Sequence, residues 1–375
     1  MIDLALRSLV HDRPRFAITV AGVAFAVTLV FVQVGLFLGL LSNASVSIEN
    51  TDAELWITPA NTPNVDFSRP FSEDYVDRIR SIPGVAHADN LIVFFMQVAL
   101  PTGAAESVVT YALEDFRRWN IPWRVLEGDV RDLRRGNYFM LDQSAVKRMG
   151  AFQVGEYREV NGTRLQIIGR TAGARSFTTN PLAFMDFRLA QRIAGTSLAG
   201  RTTYILVKLA PGADVEAVRQ EIRRRVPFNN VHTRDEWARL SRRYWVKSTG
   251  LGMSIFLTVF LGCAVGIVVV AQTLYTSTME HTKEFGTVKA IGGSNADIYR
   301  ILVKQASIAA GVGFILGVVP AFLAAPFTEA AGLRLIIPPI MVWVVAAGTV
   351  VLCIAASMLS FSKVASIDPA LAFRA

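Results

Sequence analysis

Polar and apolar positions along this 375-residue chain follow two regimes. Four stretches, residues 16–41, 251–275, 301–326 and 336–361, are almost continuously apolar, and each exceeds the roughly 20 helical residues that cross a bilayer. Phe16 to Leu41 carries no charge, Gln33 being its most polar side chain. It is longer than the roughly 7–15-residue apolar core of a signal peptide, so it reads as a retained span. Between the first and second spans, residues 42–247 return to the mixed pattern of a water-soluble domain, long enough for a core of its own.

Inside that domain the period-two and helical patterns alternate. Ala53 to Ile57 reads as a strand, Ser72 to Ile82 as a helix opened by Ser72 with Tyr75, Val76, Ile79 and Ile82 on one face, and Leu91 to Leu100 as a strand after the Pro83-Gly84 break. The far end repeats the arrangement. Thr203 to Leu209 is a strand, Asp214 caps a helix with Val215, Val218, Ile222 and Val226 inward, and Asn230 to Thr233 is a short strand. Two β-α-β units predict one α+β subdomain built from both ends. The middle, Thr110 to Gln191, with turns at Arg135-Gly136-Asn137 and Asn161-Gly162-Thr163, predicts a second, mostly β lobe. The expected class is therefore a four-helix membrane protein with a large two-lobed α+β domain inserted between helices one and two.

The remaining segments are short: 1–15, 276–300, 327–335 and 362–375. The first carries Arg7, Arg13 and Arg15 among apolar residues and reads as an interfacial helix. The segment after span two is the most patterned. Glu284, Phe285, Val288 and Ile291 fall at helical spacing around Lys289, Gly292-Gly293 break the helix, and Ser294 with Asp297 makes an N-cap for the next one. Lys283, Lys289, Arg300 and Lys304 here, three arginines at the N-terminus, and Lys363 with Arg374 at the end predict that these segments are cytoplasmic and the large domain lies outside. Arg239, Arg242, Arg243 and Lys247, crowded before span two, run against that assignment, but long domains translocate largely regardless of charge. Small residues at Gly252, Gly262, Gly266, Gly311, Gly313 and Gly317 predict close helix approach in a bundle or a dimer interface.

Composition narrows the chemistry. Hydrophobic residues make up 52% of the chain, and the net charge is +8, dispersed among acidic residues rather than gathered into a basic stripe, which argues against nucleic-acid binding. A mean hydropathy of +0.39 suits spans plus a soluble domain. Cys263 and Cys353 both lie in apolar runs. The sequence has no phosphate-binding Gly-x-x-x-x-Gly-Lys-Ser/Thr loop and no Gly-x-Ser-x-Gly elbow, and its four histidines are scattered. No acidic residue, histidine or arginine sits at mid-depth in a span, and Lys304 is placed to snorkel. Uphill work would need energy from a partner, and no catalytic or metal-binding set is expected on this chain.

The stretch Glu284-Phe285-Gly286-Thr287-Val288-Lys289-Ala290-Ile291-Gly292-Gly293 resembles the cytoplasmic loop signature of the FtsX/MacB-like ABC transporter permeases (type VII). The terminal Asp368-Pro369-Ala370-Leu371-Ala372-Phe373-Arg374 resembles their closing Asp-Pro-x-x-Ala-Leu-Arg pattern, with Ala372-Phe373 as a departure. The order of one span, a large domain and three further spans agrees. The opening, with Asp52 to Ile57 directly after span one, looks most like the DevC-type branch, which lacks a fused ATPase. The resemblance implies a bacterial inner-membrane permease that dimerises, binds a separate ATPase carrying ATP-Mg, and passes its motion to the outer domains without a transmembrane path for cargo. A periplasmic adaptor, or membrane fusion protein, and efflux of a lipid, glycolipid or other amphiphile would follow. Glu284 and Lys289 would then be polar contacts with the ATPase. Phe285, Val288 and Ile291 would pack in its groove, with Gly286 and Ala290 inside the motif and Gly292-Gly293 turning the chain. Two alternatives stay open: an FtsX-like signalling subunit that regulates an extracytoplasmic hydrolase, and a tethered sensor or enzyme.

Overall fold

The computed structural model describes residues 12–280, 294–331 and 333–364, with side chains through Met358. In chain order the elements are α1 (Arg13–Asn43), α2 (Val46–Asn50), β1 (Leu55–Pro59), β2 (Phe71–Ser72), α3 (Tyr75–Arg80), β3 (Val85–Ala99), β4 (Ala105–Leu113) and β5 (Val125–Glu127). Then come β6 (Tyr138–Asp142), α4 (Val146–Met149), β7 (Tyr157–Val160), β8 (Thr163–Thr171), β9 (Leu182–Asp186), α5 (Phe187–Ala194), β10 (Arg201–Thr202) and β11 (Tyr204–Leu209). The chain closes with α6 (Val215–Arg225), β12 (Asn229–Thr233), α7 (Arg234–Ser248), α8 (Leu251–Glu280), α9 (Asn295–Ala330) and α10 (Pro339–Val364). Contacts divide it into two units, residues 40–252 and the remainder.

The second unit is helical. Helices α1, α8, α9 and α10 are each long and apolar enough to cross a membrane. In lipid, burying leucine gains nothing over leaving it among acyl chains, so contact depends on how closely backbones approach. Four glycines of α8 and α9 make such an approach to α1. A Cβ added at Gly317 of α9 would lie 2.6 Å from the Ala24 carbonyl oxygen, and one at Gly313 would lie 2.6 Å from Val23 Cβ. Gly262 and Gly266 of α8 meet Leu29 and Ala26 in the same way. Thr28 adds a hydrogen bond, its Oγ1 2.8 Å from the Gly317 carbonyl oxygen. The bundle core accordingly gathers Val23, Val27 and Phe31 of α1 with Val270, Ala306, Ala310 and Ala321.

Residues 40–252 form one mixed sheet of ten strands, ordered β12-β1-β11-β3-β4-β9-β6-β8-β5, with β7 beside β3 and β8. The two lobes expected from sequence therefore share a sheet. β3 and β4 run through its centre, and the middle segment carries helices α4 and α5 as well as strands. The terminal β-α-β units interleave: β11 lies antiparallel between β1 and β3, and β1 lies antiparallel between β11 and β12. Side chains alternate across the sheet. On one face Trp56, Leu91, Val109, Tyr111, Met140, Phe184 and Tyr204 form a single layer covered by Ile48 of α2 and Trp237 of α7. The opposite face is split. Leu55, Ile57, Ile205 and Val207 pack under α3 and α6, whereas Ile92, Val108, Phe139 and Met185 pack under α5.

Helix starts follow their caps. Asp214 accepts from the Glu216 N–H at 2.9 Å at the start of α6. Thr233 and Glu236 close a reciprocal box at the start of α7, at 3.0 and 3.3 Å. The expectation at Ser72 needs correcting. That residue pairs in β2, its hydroxyl bonds Asp74, and α3 begins only at Tyr75. A Ser at the right distance from an apolar face fits a strand end as well as a cap, and pairing with β10 decided between them.

The glycine contacts yield a paired prediction. Gly317→Ala forces its methyl against the α1 backbone and should lower bundle stability by about 1–3 kcal/mol, the usual penalty of overpacking. Gly311→Ala, at a site with nothing within 4 Å, should leave it unchanged. Thermal unfolding of the detergent-solubilised protein reads both; equal shifts would mean the α1–α9 approach is not a close one.

Candidate functional site

All nine residues singled out for ATPase contact, Glu284, Phe285, Gly286, Val288, Lys289, Ala290, Ile291, Gly292 and Gly293, lie outside the described residues, as do residues 1–11 of the 1–15 segment read as interfacial and the Asp368-Pro369 tail. The flanks of the loop are described. Helix α8 continues to Glu280 and α9 starts at Asn295, so each helix runs about one and a half turns beyond its apolar span into the polar segment. Glu280 receives both guanidinium nitrogens of Arg15, which also pairs with Asp12 at 2.7 Å, tying the start of α1 to the end of α8. Ser294 and Asp297 form the expected cap: the Asp297 carboxylate accepts from the Ser294 N–H at 3.0 Å and from its hydroxyl at 2.7 Å. The loop thus springs from two fixed helix ends.

A second constellation escaped the sequence reading. It lies within residues 40–252, where the chain arrives from the first span and leaves for the second. Ser241 Oγ on α7 donates to the Ala44 carbonyl at 2.7 Å. The next residue, Arg242, reaches Ser45 Oγ at 3.0 Å and forms an ion pair with Glu49 of α2. Tyr111, buried in β4, donates its hydroxyl to Ser47 at 2.7 Å and so pins α2 to the sheet. Burial, with the charge of Asp66 beside it, raises the Tyr111 phenol and keeps it a donor. Lower on α7, Trp245 stacks on Phe177 with centroids 3.9 Å apart and planes 13° apart. Phe67 and Tyr244 complete an aromatic collar around it, and Leu40, Leu41, Ala44 and Leu251 pack against the same cluster. Arg242 is one of the four basic residues that ran against the charge rule; its pairing with Glu49 gives it a structural task. His232 stacks on Trp237 of α7 at 5.3 Å, and burial lowers its pKa, favouring the neutral ring.

The collar could have been suspected from Ser241, Arg242 and Trp245 at helical spacing just before span two. The partners Phe67, Tyr111 and Phe177 could not, because they come from three distant segments. In the bundle, an apolar cavity of about 210 Å³ lies between α1, α8 and α10, lined by Val27, Ile267, Val345 and Leu352 among others. Among the described residues no cluster of His, Cys, Asp and Glu could hold a metal ion.

These features define a multi-pass membrane protein with a large domain inserted after its first helix. Residues 16–225 match the family described as MacB-like periplasmic core domain, and residues 254–369 that described as FtsX-like permease C-terminal. The first match alone covers more than half of the chain, which belongs to the MacB/FtsX family of ABC transporter permeases. An ABC transporter permease of Mycobacterium tuberculosis is 24% identical over 378 residues, spanning 100% of this chain and 99% of that one. One from Methanocaldococcus jannaschii is 22% identical over 183 residues, and there the match spans less than half of either protein, 48% of this chain and 45% of the relative. The periplasmic region of MacB from Actinobacillus actinomycetemcomitans superposes with a TM-score of 0.41 at 11% identity, covering 50% of this chain and 92% of that structure.

The two kinds of contact in the collar should separate by size. Trp245→Ala empties a site only 6% exposed and should cost about 3–5 kcal/mol. Arg242→Ala removes an ion pair whose partners are 36% and 45% exposed and should cost at most about 1 kcal/mol. Chemical denaturation of the full-length protein measures both, and the reverse order would mean the collar is held electrostatically.

Proposed function

We propose that this chain is the force-transmitting permease of an ABC exporter. A separate cytoplasmic ATPase, carrying ATP-Mg, engages the 280–304 loop, and its closure moves the outer domain through α1 and α8. On this reading the chain sits in the bacterial inner membrane as a homodimer, with both termini cytoplasmic and residues 42–247 outside. Its outer domains drive a lipid, glycolipid or other amphiphile toward a periplasmic adaptor. The observation that carries the reading is the collar: the exit from α1 and the approach to α8 are bound to each other by Ser241 and Arg242, to the sheet by Tyr111, and to the 172–181 loop by Phe177. A domain held that way follows a shift of its two helices as one body. A flexible tether would absorb the shift. The absence of acidic residues, histidine and arginine at mid-depth in the spans also favours a partner as the energy source over ion coupling.

Within the loop, Glu284 and Lys289 are assigned to polar contacts with the ATPase, with Phe285, Val288 and Ile291 as the apolar face. Co-purification from membranes with the candidate ATPase tests this. The wild-type chain should retain an ATPase that hydrolyses ATP, and the Glu284→Lys, Lys289→Glu double variant should lose most of it while still folding. An ATPase retained equally by both would remove the loop from the mechanism, and none retained by either would remove the exporter reading.

A further inference from the structure

Asp66 has no part in that scheme, yet it occupies an unusual place. It lies in the loop between β1 and β2, is 4% exposed, and its Oδ2 has no hydrogen-bond partner among the described residues. A buried carboxylate left in that condition is costly unless it takes up a proton. Desolvation accordingly raises its pKa to about 7, opposed by the Phe177 backbone N–H. The loop around it is tightly folded: the Asn64 side-chain oxygen accepts from the backbone N–H of Asp66 at 2.8 Å and of Phe67 at 3.1 Å. Tyr204 donates to the carbonyls of Asn64 and Val65 at 3.2 and 3.0 Å.

The neighbours of Asp66 give this a consequence. The residue after it is Phe67, whose ring packs on Trp245 at 5.8 Å. Phe177, whose backbone N–H lies close enough to favour the carboxyl's ionised form, is stacked on the same indole. One carboxyl therefore lies between the two loops that grip the last turn of α7 before the second span. We propose that Asp66 is a proton-operated latch on the collar: protonated, it seats the 64–67 and 176–180 loops on Trp245, and ionised, it releases them.

The groups facing Asp66 do not compete for that role. Tyr111 from β4 and Tyr204 from β11 are both fully buried, with pKa values raised by burial. On the stem elements Arg242 is paired with Glu49, and Tyr244 touches Phe67 through its ring. The sign follows from linkage. A group whose pKa is higher in the closed state than in the open one favours closure fully below the open-state value, near 4, and the advantage is lost as pH rises through about 7. The collar should open more readily in that window, on the alkaline side.

Hydrogen exchange of the full-length protein in detergent, corrected for intrinsic rates, reads the latch directly and needs no ATPase. Between about pH 5.5 and about pH 8, protection of segments 64–68 and 173–180 should fall by about 30-fold relative to β3. Asp66→Asn, which keeps the shape without the charge, should hold both segments at one protection level across that range. Wild-type protection that does not change with pH overturns the proposal even if the variant fails to fold, as does an unchanged pH dependence in Asp66→Asn.

Discussion

A chain that leaves the bilayer and returns some two hundred residues later has to bring its departure and return points together, and this fold meets that constraint at one cross-strand pair. Leu55, the first residue of β1, lies opposite Thr233, the last of β12. Helix α2 runs into that pair and α7 runs out of it, so both connections to the membrane emerge side by side. Interleaving the terminal β-α-β units makes this possible, since β1 sits between the two strands of the second unit. The entropy of closing so long an insertion rises only slowly with its length, so the middle of the domain is free to be large.

What the collar adds is stiffness. Hydrogen bonds from Ser241 and Arg242 hold the two stems together, the Tyr111–Ser47 bond holds them to the sheet, and the Phe177–Trp245 stack holds them to the 172–181 loop. The strength is unequally shared. Exposed ion pairs contribute little, while buried aromatic surface contributes several kcal/mol, so the packing sets the rigidity and the polar contacts set the register. In the bundle the logic differs, because lipid removes the hydrophobic term and leaves close backbone approach at Gly313 and Gly317 as the organising contact.

An acid that burial pushes toward its neutral form, set beneath such a collar, would join the collar's stability to proton concentration. Burial of Asp66 favours the uncharged form, and the two aromatic side chains beside it, Phe67 and Phe177, both pack on Trp245 of α7. A domain meant only to be rigid would gain by an apolar residue at this position, since a buried, half-satisfied carboxyl costs stability. Its presence is consistent with a stem that has to yield under some conditions.

Much of this protein is local and therefore legible in the chain itself. Four apolar runs, the capped starts at Asp214 and Ser294, and the short strands at both ends of the inserted domain follow from periodicity and capping, which act over a few residues. Ser72 shows the limit, because an N-cap and a strand end look alike until pairing with β10 decides. The loop motif at Glu284 to Gly293 carried the family resemblance, and it could do so because the signature is contiguous. Tertiary structure alone decided that the two expected lobes share one sheet, that α1 is the helix the glycines face, and that Asp66, Tyr111, Phe177 and Trp245 meet. Each of those depends on contacts between segments tens to hundreds of residues apart, where no short-range pattern records the partner.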